Sequence, residues 1–135
     1  MHPVARFIVA LGIVLAAGTA RAACSKCEPI RNVDNARVVA TAGKSLSADQ
    51  VRESIVRAGA ALGWHITDAG PGMLSGTLVL RTHTAVIDIP YSTTSFSLVY
   101  KSSVNLDAAD GQIHRNYNKW IQYLAKGVDT QTLLF

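Results

Sequence analysis

Hydrophobic and polar positions along this chain change period twice, and each change marks a different kind of element. Val51, Ile55, Ala58 and Leu62 recur at spacings of four, three and four, one apolar stripe of a helix, with Arg52, Glu53 and Arg57 off it. Ser47 is a good N-cap, and Gln50 three residues later completes a capping box. Leu46 and Val51 bracket that cap as a hydrophobic staple. Gly63 suits the left-handed residue that closes a helix. Gly59 sits inside the stripe at a cost of roughly 1 kcal/mol relative to alanine, so a closely packed neighbour is expected beside it.

From Trp64 the period falls to two. Residues 64–69 read as a strand, and Gly70, Pro71 and Gly72 as a turn. Leu74, Leu78 and Leu80 alternate with more polar neighbours, as do Ala85, Ile87, Ile89 and Tyr91, and then Phe96, Leu98 and Tyr100. Three successive strands with one apolar face each predict an antiparallel sheet covered on one side. With residues 92–95 as a loop, Tyr91 faces Phe96 and Ile89 faces Leu98. With Thr82 and His83 as the preceding turn, Leu80 faces Ala85 and Leu78 faces Ile87. Every pair is apolar on apolar, and a slip by one residue would reverse the faces. A short strand over residues 36–40 comes before the first helix. The helical period returns at Ile113, Tyr117, Trp120, Ile121 and Leu124, between a cap at Asp110 and a terminator at Gly127. The expected fold is α+β: a two-layer sandwich with a four- to five-stranded, mostly antiparallel sheet and both helices on one face.

The first 22 residues belong to neither pattern. Arg6 supplies a positive start, residues 7–17 are apolar, and Ala20 and Ala22 offer the A-x-A spacing read by signal peptidase. The apolar run is well short of the roughly 20 residues needed to span a bilayer, so an exported chain cut between Ala22 and Ala23 is expected, with no transmembrane span in the mature protein. Residues 23–35 then form an amino-terminal segment and residues 36–135 a single domain. Composition changes once the leader is removed. The chain has 13 basic and 9 acidic residues, for a formal charge of +4. Arg6 and Arg21 leave with the leader, which lowers that charge to +2. The remaining basic residues are spread singly and form no stripe, which argues against nucleic-acid binding.

The stretch "RTHTAVIDIPYSTTSFSLVY", then "SSVNL" and "IHRNYNKWIQYL", resembles a family of small exported bacterial proteins, many of them lipoproteins. The likeness covers residues 38–124 and is carried best by the "IHRNYNKWI" helix. It implies a cell-envelope location and a lipid anchor, and no activity, cofactor or substrate.

Cys24 and Cys27 are the only cysteines and stand in C-x-x-C spacing at the junction with the leader. A thioredoxin-like site would follow a strand and open a helix, and haem attachment would need histidine where Glu28 stands. The histidines are too scattered to complete a zinc site, so no metal and no cofactor are expected. Lipidation of Cys24 is the alternative to soluble export, but Arg21 occupies the position where a lipobox normally carries leucine. In an oxidising envelope the two thiols are expected to pair with each other.

No nucleophile elbow, zincin helix or paired-carboxylate motif occurs, so an enzyme is the less favoured class. The expected function is a non-catalytic, periplasmic envelope module that binds an envelope protein or a cell-wall component. The alternative is a small periplasmic enzyme with a site near His114. The binding candidates are His114, Asn116 and Asn118 along the margin of the second helix, with Arg81 and His83 at a strand turn. For the helix residues a structural role is favoured, since a helix start has unpaired donors to satisfy. The outer sheet face, with Ser75, Thr77, Val79, Thr84, Val86, Ser97 and Val99, is short-chained and weakly charged, and offers a surface for a partner.

Overall fold

The computed structural model describes Gly18 and residues 23–135. The expected leader and the Ala22 side of its cleavage point fall otherwise outside the described residues. Among the described residues the chain forms seven strands and two helices. Strands β2 (Val33–Arg37), β3 (Trp64–Asp68), β4 (Met73–Leu80), β5 (His83–Pro90) and β6 (Ser95–Val104) make one antiparallel sheet in the order β2-β6-β5-β4-β3. Strands β1 (Cys27–Pro29) and β7 (Gln112–His114) pair antiparallel in a second, two-stranded sheet. Helices α1 (Ala48–Ala61) and α2 (Arg115–Thr132) complete an α+β fold.

The capping signals around α1 are realised. The Gln50 amide donates to Ser47 Oγ (3.2 Å), and the Ser47 amide donates to Gln50 Oε1 (2.9 Å). Leu46 and Val51, the two halves of the staple, are buried. Gly63 has φ +84°, left-handed as expected. The close neighbour of Gly59 is Ile66 of β3: a Cβ on Gly59 would lie 2.5 Å from Ile66 Cγ1. Helix and strand therefore touch backbone to side chain. Leu62 does not continue the buried stripe. It is the C-cap, already outside helical geometry, and is 40% exposed.

The inner sheet face is built by Leu74, Leu78, Ala85, Ile87, Ile89, Phe96 and Leu98, all buried. Tyr91 faces Phe96, and Ile87 faces Tyr100, in the register expected for the β5–β6 pair. The β4–β5 register differs from expectation by two residues. Leu80 pairs with His83, Leu78 with Ala85 and Gly76 with Ile87, so the turn is Arg81 and Thr82 rather than Thr82 and His83. Arg81 takes φ +56° there, and Asn105 Nδ2 donates to the Thr82 carbonyl (2.8 Å), clamping the turn from outside. A shift of two preserves the faces, which is why the apolar pattern alone cannot detect it. Leu80, at the end of β4, is 47% exposed and lies outside the core.

The strand expected over residues 36–40 lies three residues earlier, as β2. Val33 pairs with Leu98 and Ala36 with Phe96, with an irregularity between them. Asn35 has φ +49° at that point, and its amide donates to Ser97 Oγ (2.9 Å). This cover buries Ser97 on the otherwise open sheet face. Residues 23–35, read from sequence as a segment ahead of the domain, thus carry β1 and the start of β2.

The second helix starts later and runs further than expected. Its N-cap is His114, not Asp110, and Ile113 lies buried in β7. Gly127 is internal to α2, where a Cβ would lie 3.3 Å from Ala58 Cβ of α1. The glycine marks where the two helices meet, and Val128 and Thr132 continue the buried face beyond it. Trp120 is only partly buried, since Tyr117, Ile121 and Leu124 fill the centre of that face. Tyr117 meets Tyr100 of β6 edge to face, with ring centroids 5.5 Å apart. Helix α1 therefore lies over the β3 side of the sheet and α2 over the β6 side.

Candidate functional site

The residues singled out from sequence fall into two groups. Arg81, exposed, lies in the β4–β5 turn and His83, half-buried, follows it; His114, Asn116 and Asn118 open α2. One segment links the groups. His83 Nδ1 donates to the Asn105 carbonyl (2.6 Å), and the next residue, Leu106, accepts from the His114 amide (2.8 Å). The two histidines thus grip consecutive residues of the loop that joins β6 to β7.

His114 and Asn118 at the start of α2 already have structural tasks. The Asn116 amide donates to His114 Nδ1 (3.3 Å), so this imidazole accepts a helix N-terminal donor. Asn118 is buried. Its Oδ1 accepts from the Arg31 amide (3.1 Å), and its Nδ2 donates to the Pro29 carbonyl (3.0 Å) and toward Glu28 Oε2 (3.4 Å). One side chain on α2 thereby holds the chain just after β1. Asn116 is exposed.

The cysteines form a Cys24–Cys27 disulfide. It opens onto a cavity of about 900 Å³, whose walls include Ser103, Asn105, Asp107 and Gln112. Sequence reasoning passed over this loop. Asn105 (φ +57°), Asp107 (φ +53°) and Asp110 (φ +53°) all adopt left-handed backbone, and Gly111 (φ +75°) follows. Asn, Asp and Gly are the residues that tolerate this conformation. Their density in "NLDAADG" was the available signal for a folded loop where a helix cap was expected.

A bidentate ion pair lies elsewhere, between α1 and β3. Arg52 donates to both oxygens of Asp68 (2.8 and 2.7 Å), and that hydrogen bonding holds the carboxyl below the usual aspartate range. The outer sheet face is covered by neither helix. Val79 is 64% and Val104 56% exposed there, on β4 and β6, on either side of Thr84. Among the described residues Lys101 and Asp88 form an ion pair on this face, at 3.6 Å. Among the described residues no helix is long and apolar enough to cross a membrane. No family model, curated protein or solved structure matches the chain.

Proposed function

We propose that this chain is a non-catalytic module of the bacterial cell envelope, exported by its first 22 residues, which binds an envelope protein or a cell-wall component through the outer face of its five-stranded sheet. The observation that carries the reading is the uncovered face itself, with Val79 and Val104 standing out among threonines and serines. Contiguous apolar surface rimmed by polar residues marks an interaction site, and here the two valines flank Thr84 across three adjacent strands. Export is supported by the leader pattern and by the resemblance to exported bacterial proteins. Soluble export is favoured over a lipid anchor because the disulfide uses the Cys24 sulfur that a thioether-linked lipid would need. The enzyme alternative near His114 is disfavoured, since His114 and Asn118 are engaged in holding the backbone.

Immobilised protein incubated with an envelope extract tests the reading. The chain is expected to retain a specific partner, and Val79→Lys with Val104→Lys to lose it while melting like the parent. His114→Ala, assayed below its melting temperature, is expected to retain the partner. Retention by the double lysine variant together with loss in His114→Ala would move the site to the start of α2.

A further inference from the structure

The contacts around the disulfide contain an oddity. Cys24 Sγ lies 3.8 Å from Asp107 Oδ2, and Cys27 Sγ lies 3.9 Å from the Asp107 carbonyl oxygen. A bonded sulfur has no proton to donate, so neither contact is a hydrogen bond in the oxidised chain. An acceptor-only carboxylate nonetheless faces one sulfur, with the second within 4.8 Å of it. The same arrangement has a clear use once the sulfurs are free.

We infer that Cys24, Cys27 and Asp107 form a redox-gated site for one thiophilic divalent cation, closed while the sulfurs are bonded and open when they are reduced. This inference does not rest on the envelope reading. One ligand atom from each of the three residues lies within 4.8 Å of the others. With zinc–sulfur bonds of about 2.3 Å and zinc–oxygen bonds of about 2.1 Å, two ligands on one edge of a tetrahedron are about 3.6 Å apart. The Cys24 to Asp107 separation of 3.8 Å is close to that edge already. The two sulfurs must part to about 3.8 Å for the same geometry. With Cα atoms 5.3 Å apart, rotation of the two side chains achieves this without moving the backbone. Two thiolates and one carboxylate suit a borderline-soft cation such as zinc. The cavity leaves room for water as the fourth ligand.

Both halves of the site are held without the bridge. The Cys27 amide donates to the Cys24 carbonyl (3.3 Å), which keeps the turn, and Cys27 pairs with His114 in the two-stranded sheet. On the other side, Leu106 accepts from the same His114 residue's amide. One strand, β7, therefore fixes both the cysteines and the aspartate. Opening the site requires a dithiol reductant: two electrons pass to the bridge, its S–S bond breaks, and the reductant leaves as its own disulfide. Each resulting thiol then gives up a proton as the cation binds.

The test uses the full chain, reduced anaerobically with dithiothreitol and desalted, beside the oxidised chain. Cobalt serves as a spectroscopic probe and zinc as its competitor. The reduced chain is expected to bind one equivalent of cobalt with a thiolate charge-transfer band, displaced by zinc, and to keep its helical circular dichroism. The oxidised chain and Cys24→Ser are expected to lack the band. Asp107→Asn, a residue at ease with left-handed backbone, is expected to weaken zinc binding about tenfold or more. Equal binding by oxidised and reduced chains, undiminished binding by Asp107→Asn, or absence of binding or loss of fold in the reduced chain would each overturn the inference.

Discussion

At the scale of single residues, Tyr117 is the sharpest departure from what its surroundings favour. Its ring is fully buried between α2 and the sheet, and its hydroxyl has no hydrogen-bond partner. Leaving such a group unpaired costs about 1–3 kcal/mol. Tyr117→Phe keeps the ring and its edge contact with Tyr100, so it is expected to stabilise the chain by about 1 kcal/mol in urea unfolding. Burial, and then the neighbouring Tyr100, push the Tyr117 hydroxyl above the ordinary tyrosine range. The folded state thus favours the neutral phenol. Its contribution is complete below the unfolded value of about 10 and fades as pH rises above it. The parent is expected to lose stability between about pH 9.5 and 11.5, and Tyr117→Phe to lose less. Equal alkaline slopes would show that Tyr117 is not the group responsible. Sequence placed this tyrosine on the buried stripe correctly. Periodicity says which way a side chain points, not whether its polar tip finds a partner.

At the scale of elements, the packing of α1 on β3 turns on one missing methyl group. Gly59→Ala gains roughly 1 kcal/mol of helix propensity. The new Cβ would meet Ile66 at 2.5 Å, and a β-branched strand residue has little freedom to turn aside. Overpacking costs about 1–3 kcal/mol, so a net loss of about 1 kcal/mol is expected in chemical denaturation. Adding Ile66→Ala should make the pair of changes cost less than their sum. Additive losses would mean that the two residues do not share the contact. Much at this scale was legible beforehand: the capping box, the staple, the need for a neighbour at Gly59, and the β5–β6 register. What escaped did so for definite reasons. The β4–β5 turn slipped by two residues because a two-residue shift leaves every face unchanged. The turn that forms is clamped by Asn105, 23 residues beyond Thr82. Strand β7 was read as the first turn of α2 because a three-residue strand has no period to detect. Its partner lies more than 80 residues away at β1. Gly127 looked like a terminator because glycine serves equally as a helix end and as a close-approach point.

At the scale of the whole molecule, the two ends of the described chain are sewn together. Asn118 bonds to main-chain groups 87 and 89 residues earlier, and β7 pairs with β1 beside it. Asn118→Ala leaves the Arg31 amide and the Pro29 carbonyl without this partner. A loss of about 2 kcal/mol is expected in chemical denaturation, with faster tryptic cutting after Lys26 and Arg31 under native conditions. Unchanged cutting at those two sites would show that the segment is held by the β1–β7 pairing alone. The candidate site shows the same limits at this scale. The cysteine pairing was read from two neighbouring positions, whereas Asp107 reaches the cysteines only through the folded loop. The seam between β1 and β7 also sets an order of events. Contacts so distant in sequence carry a loop-closure penalty that local contacts avoid. A chain emerging from the ribosome can assemble α1 and the β3–β6 meander while β1 still waits for a mate. Cys24 and Cys27 emerge long before residues 107–114, so an oxidant meets them as an open, unprotected dithiol. The two thiols can therefore meet an oxidant before the cavity that later surrounds them exists.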